Sequence, residues 1–526
     1  MAQARTAEFP VTWENPAEAA LTWRPDKMHS PDVATPLGFD LATKPFVGGF
    51  GTLKACYYNY YVFYTRTVPP PEPGAMRAPN LRAVIEGGRL WREKVLPEVQ
   101  QFDQYYRETD FDAMSNEELV GELDNLVRVR TRCGQLHSMA TFPWWVGMEQ
   151  LISTYRELTG GDDLGAVRLV QGYGNKSVDA GVALWRLSRL AASIPAVSEA
   201  LKTDGTAGEQ LAALGSEPSA QPFLEAWAAF LDEFGWRSAL FEFAMPTWVE
   251  DPTVPLSQVR AYMEMPDYDP VVEHERLGAE REAALREVMS SLATEERERL
   301  AAAVEAARSV VSILEDHNYY IDQRVGVLPR RLVLAAGRRL VQMGQLADAS
   351  DVFYLHHEQM NAALLGQLSG AADLVEGCKA GMKEWSEVPP PEYVGAAPQE
   401  AGPEAPDRFF GGGKLRSDRP GELKGHAASA GTARGPARVL AHLDEAGRLR
   451  PGDVLVTRTT MPPWTPLFAV ASAVVTETGG VLSHAALTAR EYGLPAVLSV
   501  ENATRLIGDG QLVEVDGSKG IVRILQ

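Results

Sequence analysis

Thr476-Glu-Thr-Gly-Gly-Val-Leu-Ser-His-Ala-Ala-Leu-Thr-Ala-Arg-Glu-Tyr-Gly-Leu-Pro-Ala-Val497 is the stretch on which the reading of the chain turns. Ala473, Val474 and Val475 lead into it as an apolar run that reads as a buried strand. Gly479-Gly480 breaks the chain, Ser483 is a good N-cap, and Ala485 to Glu491 is strong helix-forming sequence. Gly493 and Pro495 end that helix, and Pro495 to Val500 reads as the next strand. His484 therefore falls on the first turn of a short helix, just after a glycine turn. Free backbone N–H groups and the positive end of the helix dipole favour a phosphate at such a place. Glycines let backbone approach an anion closely, and an imidazole can itself take a phosphoryl group. A lone histidine there would more often cap the helix or fill the turn; the surrounding string decides otherwise.

That string resembles the phosphohistidine domain of the dikinase family, which includes phosphoenolpyruvate synthase, pyruvate phosphate dikinase, rifampicin phosphotransferase and the phenylphosphate synthases. Thr478-Gly479-Gly480, Ser483-His484-Ala485-Ala486, Ala489-Arg490-Glu491 and Gly493-Leu494-Pro495-Ala496-Val497 follow the family's pattern in order. The resemblance implies that His484 is phosphorylated and carries the group between two sites. It also implies that Thr478, Gly479, Gly480 and Ser483 hold the phosphoryl oxygens. Arg490 either joins them or ties down the helix.

With 526 residues, 45% of them hydrophobic and 23% charged, the chain has material for a large core and about three or four domains. A net charge of -20 argues against nucleic acid or an anionic membrane as partner. The N-terminus has no apolar signal-peptide core, and no apolar run is long enough to span a bilayer. Cys56, Cys133 and Cys378 are far apart, suit a reducing cytoplasm and give no metal-ligand spacing. A cytoplasmic protein without a metal site is the expectation.

Residues 1–45, rich in Trp, Pro and Thr, read as an extended arm. Cys56-Tyr-Tyr-Asn-Tyr-Tyr-Val-Phe-Tyr64 reads either as the lining of an aromatic pocket or as ordinary packing of large side chains. Pro69 to Pro73 is a breaker. From about residue 78 the pattern is helical: a Ser115/Glu118 capping box, apolar faces over Ser177–Leu190 and Leu224–Phe234, and a charged helix from about His274. Thr294 reads as the N-cap of a long helix, and Arg330 to Met343 is another. Nothing alternates as a β/α barrel would. Phe234-Gly-Trp-Arg-Ser238, Pro246 to Pro252 and Gly344 to Glu358 resemble the helical substrate domain of the rifampicin-type and phenylphosphate-type enzymes. Residues 386–424, rich in Pro and Gly, read as an interdomain tether, and from 425 the pattern becomes α/β. The expected fold class is a large, mostly α-helical substrate domain (1–385) joined by a linker (386–424) to a C-terminal α/β swivelling phosphohistidine domain (425–526).

No glycine-rich ATP-grasp pattern is read in these residues, and Gly411-Gly-Gly-Lys414 lacks the Ser/Thr of a P-loop. The expectation is a split enzyme: a separate ATP-grasp subunit, binding ATP and Mg2+, charges His484. The acceptor site is expected in the helical body. Asp316-His317, ahead of Tyr320 and Arg324, is the first candidate for the base; His29 and His137 come next, with Arg237 and Glu242 as orienting groups and Trp236 as a wall. Nine of the 11 tryptophans precede residue 250, which favours an aromatic-walled cavity. The split organisation also resembles the phenylphosphate synthases, and that resemblance implies a phenol as acceptor, ahead of a natural-product hydroxyl and of pyruvate. A non-catalytic phosphocarrier is the reading from a different class.

Overall fold

The computed structural model describes residues 9–13, 15–67, 80–398, 408–409, 411 and 415–525. The breaker at Pro69–Pro73 and the Gly412–Lys414 part of the spacer lie outside them. No helix among the described residues is long and apolar enough to cross a membrane.

The first 67 residues are more regular than an extended arm. Strand β1 (Thr22–Pro25) pairs with β3 (Tyr61–Arg66), which pairs in turn with β2 (Leu53–Tyr58). Asn59 and Tyr60 join β2 to β3 with φ of 50° and 67°, the two-residue turn that matches strand twist. The aromatic run is thus a hairpin. Phe9, Trp23, Tyr58, Tyr61 and Phe63 pack on one another with Val394, so these rings are core rather than pocket wall. Residues 36–49 are helical, started by Thr35, whose hydroxyl accepts from Gly38 N with Pro36 in the first turn.

Helices make up the body. Helix α1 (Asn116–Thr159) is opened by the expected capping box: Glu118 N donates to Ser115 Oγ at 3.2 Å and Ser115 N to Glu118 Oε2 at 2.7 Å. It crosses the 44–49 helix at Gly134 and Gly49, where a Cβ on either residue would run into the facing backbone. This crossing holds the turn that carries His137. Gly134→Ala should therefore destabilise the protein by about 3 kcal/mol, at the upper end of overpacking costs, seen as a lower urea midpoint. Helix α2 is Lys176–Ser193 and α3 is Thr294–Val310, with Ala293 rather than Thr294 at the cap. Helix α4 (Ile313–His317) runs without a break into a π-helical turn over Asn318–Val325. Such widened turns recur at functional sites because they re-aim side chains.

The chain then supplies β4 (Val394–Gly395) to the first sheet, in the order β2-β3-β1-β4. An eight-stranded sheet follows, built from β5 (Glu422–Lys424), β6 (His426–Ser429), β7 (Thr432–Val439), β8 (Val454–Thr457), β9 (Ala473–Thr476), β10 (Ala496–Leu498), β11 (Leu512–Asp516) and β12 (Ile521–Ile524). Its order is β5-β12-β11-β7-β8-β9-β10-β6, with β7 to β10 parallel. The four residues of β8 and of β9 are all buried, as expected of parallel strands covered on both faces. Helix α5 (His484–Glu491) connects β9 to β10. Val481, Leu482 and Leu487 around it pack into the same cluster as Trp144, Met148 and Val310 of the helical body. Between the two bodies Arg408 pairs with Glu149 and Asp163, and its carbonyl and that of Phe409 accept from Leu482 N and Gly480 N at 2.7 and 2.9 Å.

Candidate active site

His484 is placed by the turn that leaves β9. Gly479 has φ of +97°, a conformation that strains any residue with a Cβ, and Ser499 Oγ donates to its carbonyl at 3.0 Å. Ser483 is extended and its Oγ accepts from Ala486 N, so α5 begins at His484 with a satisfied cap. The parallel strands end on this side, where α/β sheets place their ligands.

The imidazole faces the helical body. His484 Nδ1 lies 2.7 Å from Glu315 Oε1, and Ser177 Oγ donates to Glu315 Oε2 at 2.6 Å. Glu315 is 1% exposed. Burial alone would raise its pKa; the charge and hydrogen bond of His484, with the hydroxyl of Ser177, more than offset that and hold it below the ordinary carboxylate value. With Nδ1 engaged by a carboxylate, the ring carries its proton there and Nε2 keeps a lone pair. Thr465 and Thr488 hydroxyls stand 3.5 Å from Nε2.

Beside His484 opens a small cleft, about 40 Å³, lined from both bodies by His29, Phe241, Asn318, Phe409, Met461 and Thr478 among others. His29 stacks on Phe241, ring centroids 5.9 Å apart. Its Nδ1 is 3.4 Å from Asp26 Oδ1. Burial would lower the pKa of His29, but the Asp26 charge and hydrogen bond carry it above its ordinary value. His29 is therefore an imidazole oriented by a carboxylate at the rim of the cleft.

The other expected residues divide. His317 and His137 meet, Nε2 to Nε2 at 3.1 Å, with Asp322 beside them. Thr478, Gly479 and Ser483 line the cleft. Gly480 N is taken by Phe409 O. Arg490 donates to Ala428 O and Val481 O at 2.8 Å each, tying α5 to its surroundings rather than facing the cleft. Asp316 accepts from Lys176 N at the start of α2. Arg237 is buried among Phe234, Trp248 and Tyr319, and burial lowers its pKa to about 10. Glu242 binds Thr35 and Ala244, Arg324 binds Asp103, and Tyr320 packs on Tyr319. Trp236 packs in the core built around Leu328 and Phe353. These side chains lock helices together, and none of them lines the cleft.

Glu315, Ser177, Asp26 and Asp322 are the residues that sequence reasoning missed. Glu315 is the neighbour of the chosen Asp316, but on a helix adjacent residues point about 100° apart. Only the packing of α4 against the C-terminal sheet domain tells them apart. For Asp26 a local signal exists: it lies three residues before His29, and its carboxylate accepts from His29 N at 2.9 Å.

Comparison with known proteins agrees with this arrangement. Residues 137–315 match the rifampicin phosphotransferase fourth domain, and residues 449–520 match the mobile domain of PEP-utilising enzymes. The chain is 32% identical to a rifampicin phosphotransferase of Streptomyces sviceus, over 73% of this chain and 43% of that protein. It is 30% identical to the uncharacterized phosphotransferase YvkC of Bacillus subtilis, over 74% of this chain and 47% of that protein. It is 32% identical to chondramide synthase cmdD of Chondromyces crocatus, over 98% of this chain and 14% of that protein. The chain thus spans less than half the length of these relatives. The helical domain is thus of the rifampicin-phosphotransferase type, and the domain that carries His484 is of the PEP-utilising mobile type.

Proposed function

We propose that this chain is the acceptor half of a dikinase-type phosphotransferase: Nε2 of His484 takes a phosphoryl group and passes it to a hydroxyl of a small aromatic molecule, a phenol first of all. The observation that carries this is the grip of Glu315 on His484 Nδ1 at the edge of a cleft lined by both bodies. The donor is ATP, split to AMP and phosphate on an ATP-grasp partner that holds the Mg2+. Val394–Gly395 pairs in the first sheet and Glu422–Lys424 in the second, so the tether on which the mobile domain travels to that partner is shorter than 386–424 and falls between these two strands.

In the transfer step the acceptor oxygen forms a bond to phosphorus as the Nε2–P bond breaks. Glu315 keeps a proton on Nδ1, so the ring leaves as neutral imidazole rather than as an anion. His29, oriented by Asp26, takes the hydroxyl proton. Transfer of this kind is mostly positioning and charge stabilisation, with little covalent work for the protein. The cleft's apolar walls, Phe241, Phe409 and Met461, support an aromatic acceptor. The relatives' names, rifampicin phosphotransferase among them, support the hydroxyl of a larger natural product as the second reading.

The test uses the full chain charged chemically with phosphoramidate and followed by 31P NMR. Phenols should discharge the phosphohistidine to aryl phosphate faster than aliphatic alcohols or pyruvate do. A phosphohistidine that outlasts every hydroxyl offered would favour the phosphocarrier reading instead. His29→Asn should slow single-turnover transfer by about 10²-fold or more, the usual worth of a positioned base, while the rate of charging stays unchanged.

A further inference from the structure

Apart from the His484–Glu315 pair, three side chains from two stretches of helix converge on one point. His137 projects from α1, His317 from the end of α4, and Asp322 from the π-helical turn that continues it. The Nε2 atoms of the two histidines are 3.1 Å apart, and Asp322 Oδ2 is 3.7 Å from that of His137 and 3.4 Å from that of His317.

Counting hydrogens makes the cluster unusual. His317 Nδ1 lies 2.8 Å from Ile313 O, which can only accept, so the ring proton sits on Nδ1 and Nε2 offers a lone pair. Asp322 offers only acceptor oxygens when ionised. Neutral His137 has a single ring proton to place. With Asp322 ionised, at most one hydrogen therefore serves three converging acceptor atoms. Asp322 is 7% exposed, its Oδ1 has no hydrogen-bond partner, and neither does Nδ1 of His137. Among the described residues Asp322 forms no ion pair with a lysine or arginine. Arg130, whose charge is felt at Asp322, is instead held over the Phe46 ring, 4.8 Å from its centroid.

We infer that His137, His317 and Asp322 form a binding site for a divalent transition-metal ion of the zinc type. A tetrahedral ion with bonds of about 2.1 Å needs ligand atoms about 3.4 Å apart, and the three separations of 3.1, 3.4 and 3.7 Å centre on that value. Two neutral imidazoles and one carboxylate suit zinc and disfavour magnesium, which demands oxygen ligands. The hydrogen bond from His317 Nδ1 to a backbone carbonyl is the outer-sphere contact that orients a ligating histidine. Three protein ligands leave the fourth position to water or to an oxygen of a bound molecule. Because His317 stands two residues from Glu315, an ion here is a Lewis acid close to the residue that grips His484.

The inference does not rest on the phosphotransfer reading, and its test reads metal rather than turnover. Full-length chain, stripped with chelator, is titrated with Zn2+ against a chromophoric chelator, and Co2+ is added in parallel for its visible spectrum. The expected result is one zinc per chain, no competition from Mg2+, and tetrahedral-type Co2+ bands. His137→Gln, at the more exposed corner, and Asp322→Asn should each weaken zinc binding by about 10²-fold or more, with thermal melts confirming that both fold. Zinc below about one tenth of an equivalent, or affinity equal to wild type in both variants, would overturn the site.

Discussion

Chain carrying His484→Ala is expected to take up no phosphoryl group at the α5 turn and to make no acceptor phosphate, while remaining folded. The imidazole is the nucleophile in the proposed cycle, and the neighbours of its Nε2 are the hydroxyls of Thr465 and Thr488, which are poor nucleophiles without a base. The loss should therefore be complete within detection rather than partial. Mass spectrometry of the phosphoramidate-charged protein checks it: wild type carries the added phosphoryl group on residue 484, and the variant carries none there. A group mapped to another side chain, with transfer retained in the variant, would sink the assignment. Folding is checked separately, because the substitution also removes the partner of a buried carboxylate. Glu315 then keeps only Ser177, and burial dominates its pKa, which rises. That change loosens the contact between the two bodies, so small-angle scattering should report a more extended average shape even though the thermal melt shows both bodies folded.

How much of this was legible depends on how far apart in sequence the partners lie. The β9–α5–β10 unit was readable because its signals are local: the Val474-Val475 run, the Gly479-Gly480 break, the Ser483 cap and the Gly493/Pro495 stop all fall within a few residues of the element they define. The helices of the body were readable as amphipathic stripes, and the Ser115/Glu118 box appears where its spacing puts it. What a stripe does not carry is its partner. Arg237, Arg324 and Tyr320 look like site residues in one dimension and are packing elements in three. Glu315 looks interchangeable with Asp316 until a segment 169 positions away closes on one of them. Of the two readings of the Tyr57–Tyr64 run, packing is the one the structure bears out, and Asn59 at its centre marks the hairpin turn. His29 and Asp26 fell in an arm thought irregular, and the fold that brings them to the cleft depends on pairing between β1 and β3, about 40 residues apart.

Glu315→Gln is the second large effect, and it separates chemistry from docking. Glutamine keeps the size of the side chain: its amide oxygen still accepts from His484 Nδ1, and its NH2, in the place of Oε2, donates to Ser177 Oγ. The mobile domain therefore still docks, but the negative charge is gone. In wild type that charge stabilises the protonated, phosphorylated ring, from which neutral imidazole leaves; a neutral amide acceptor holds the Nδ1 proton more weakly, so the protonated ring is less populated. A hydrogen bond to a charged group is worth about 1–2 kcal/mol more than the neutral one that replaces it, so single-turnover transfer should fall by about 10-fold. Charging of His484 by phosphoramidate should change little, because in solution the ring can be attacked with the domain undocked. Glu315→Ala, which leaves a cavity and no acceptor, should lose docking as well. The pH profile adds a second readout. Glu315 in the docked state lies below its ordinary value, so the undocked form binds more protons and docking gains stability as pH rises through the carboxylate range. That gain is lost as pH falls through the docked pKa, which gives wild-type transfer an acid limb below the ordinary carboxylate range. The glutamine variant has no carboxyl to titrate, so its transfer should be slow and flat over the same range. A glutamine variant that transfers at the wild-type rate with the acid limb intact would assign both the charge and the titration to some other group.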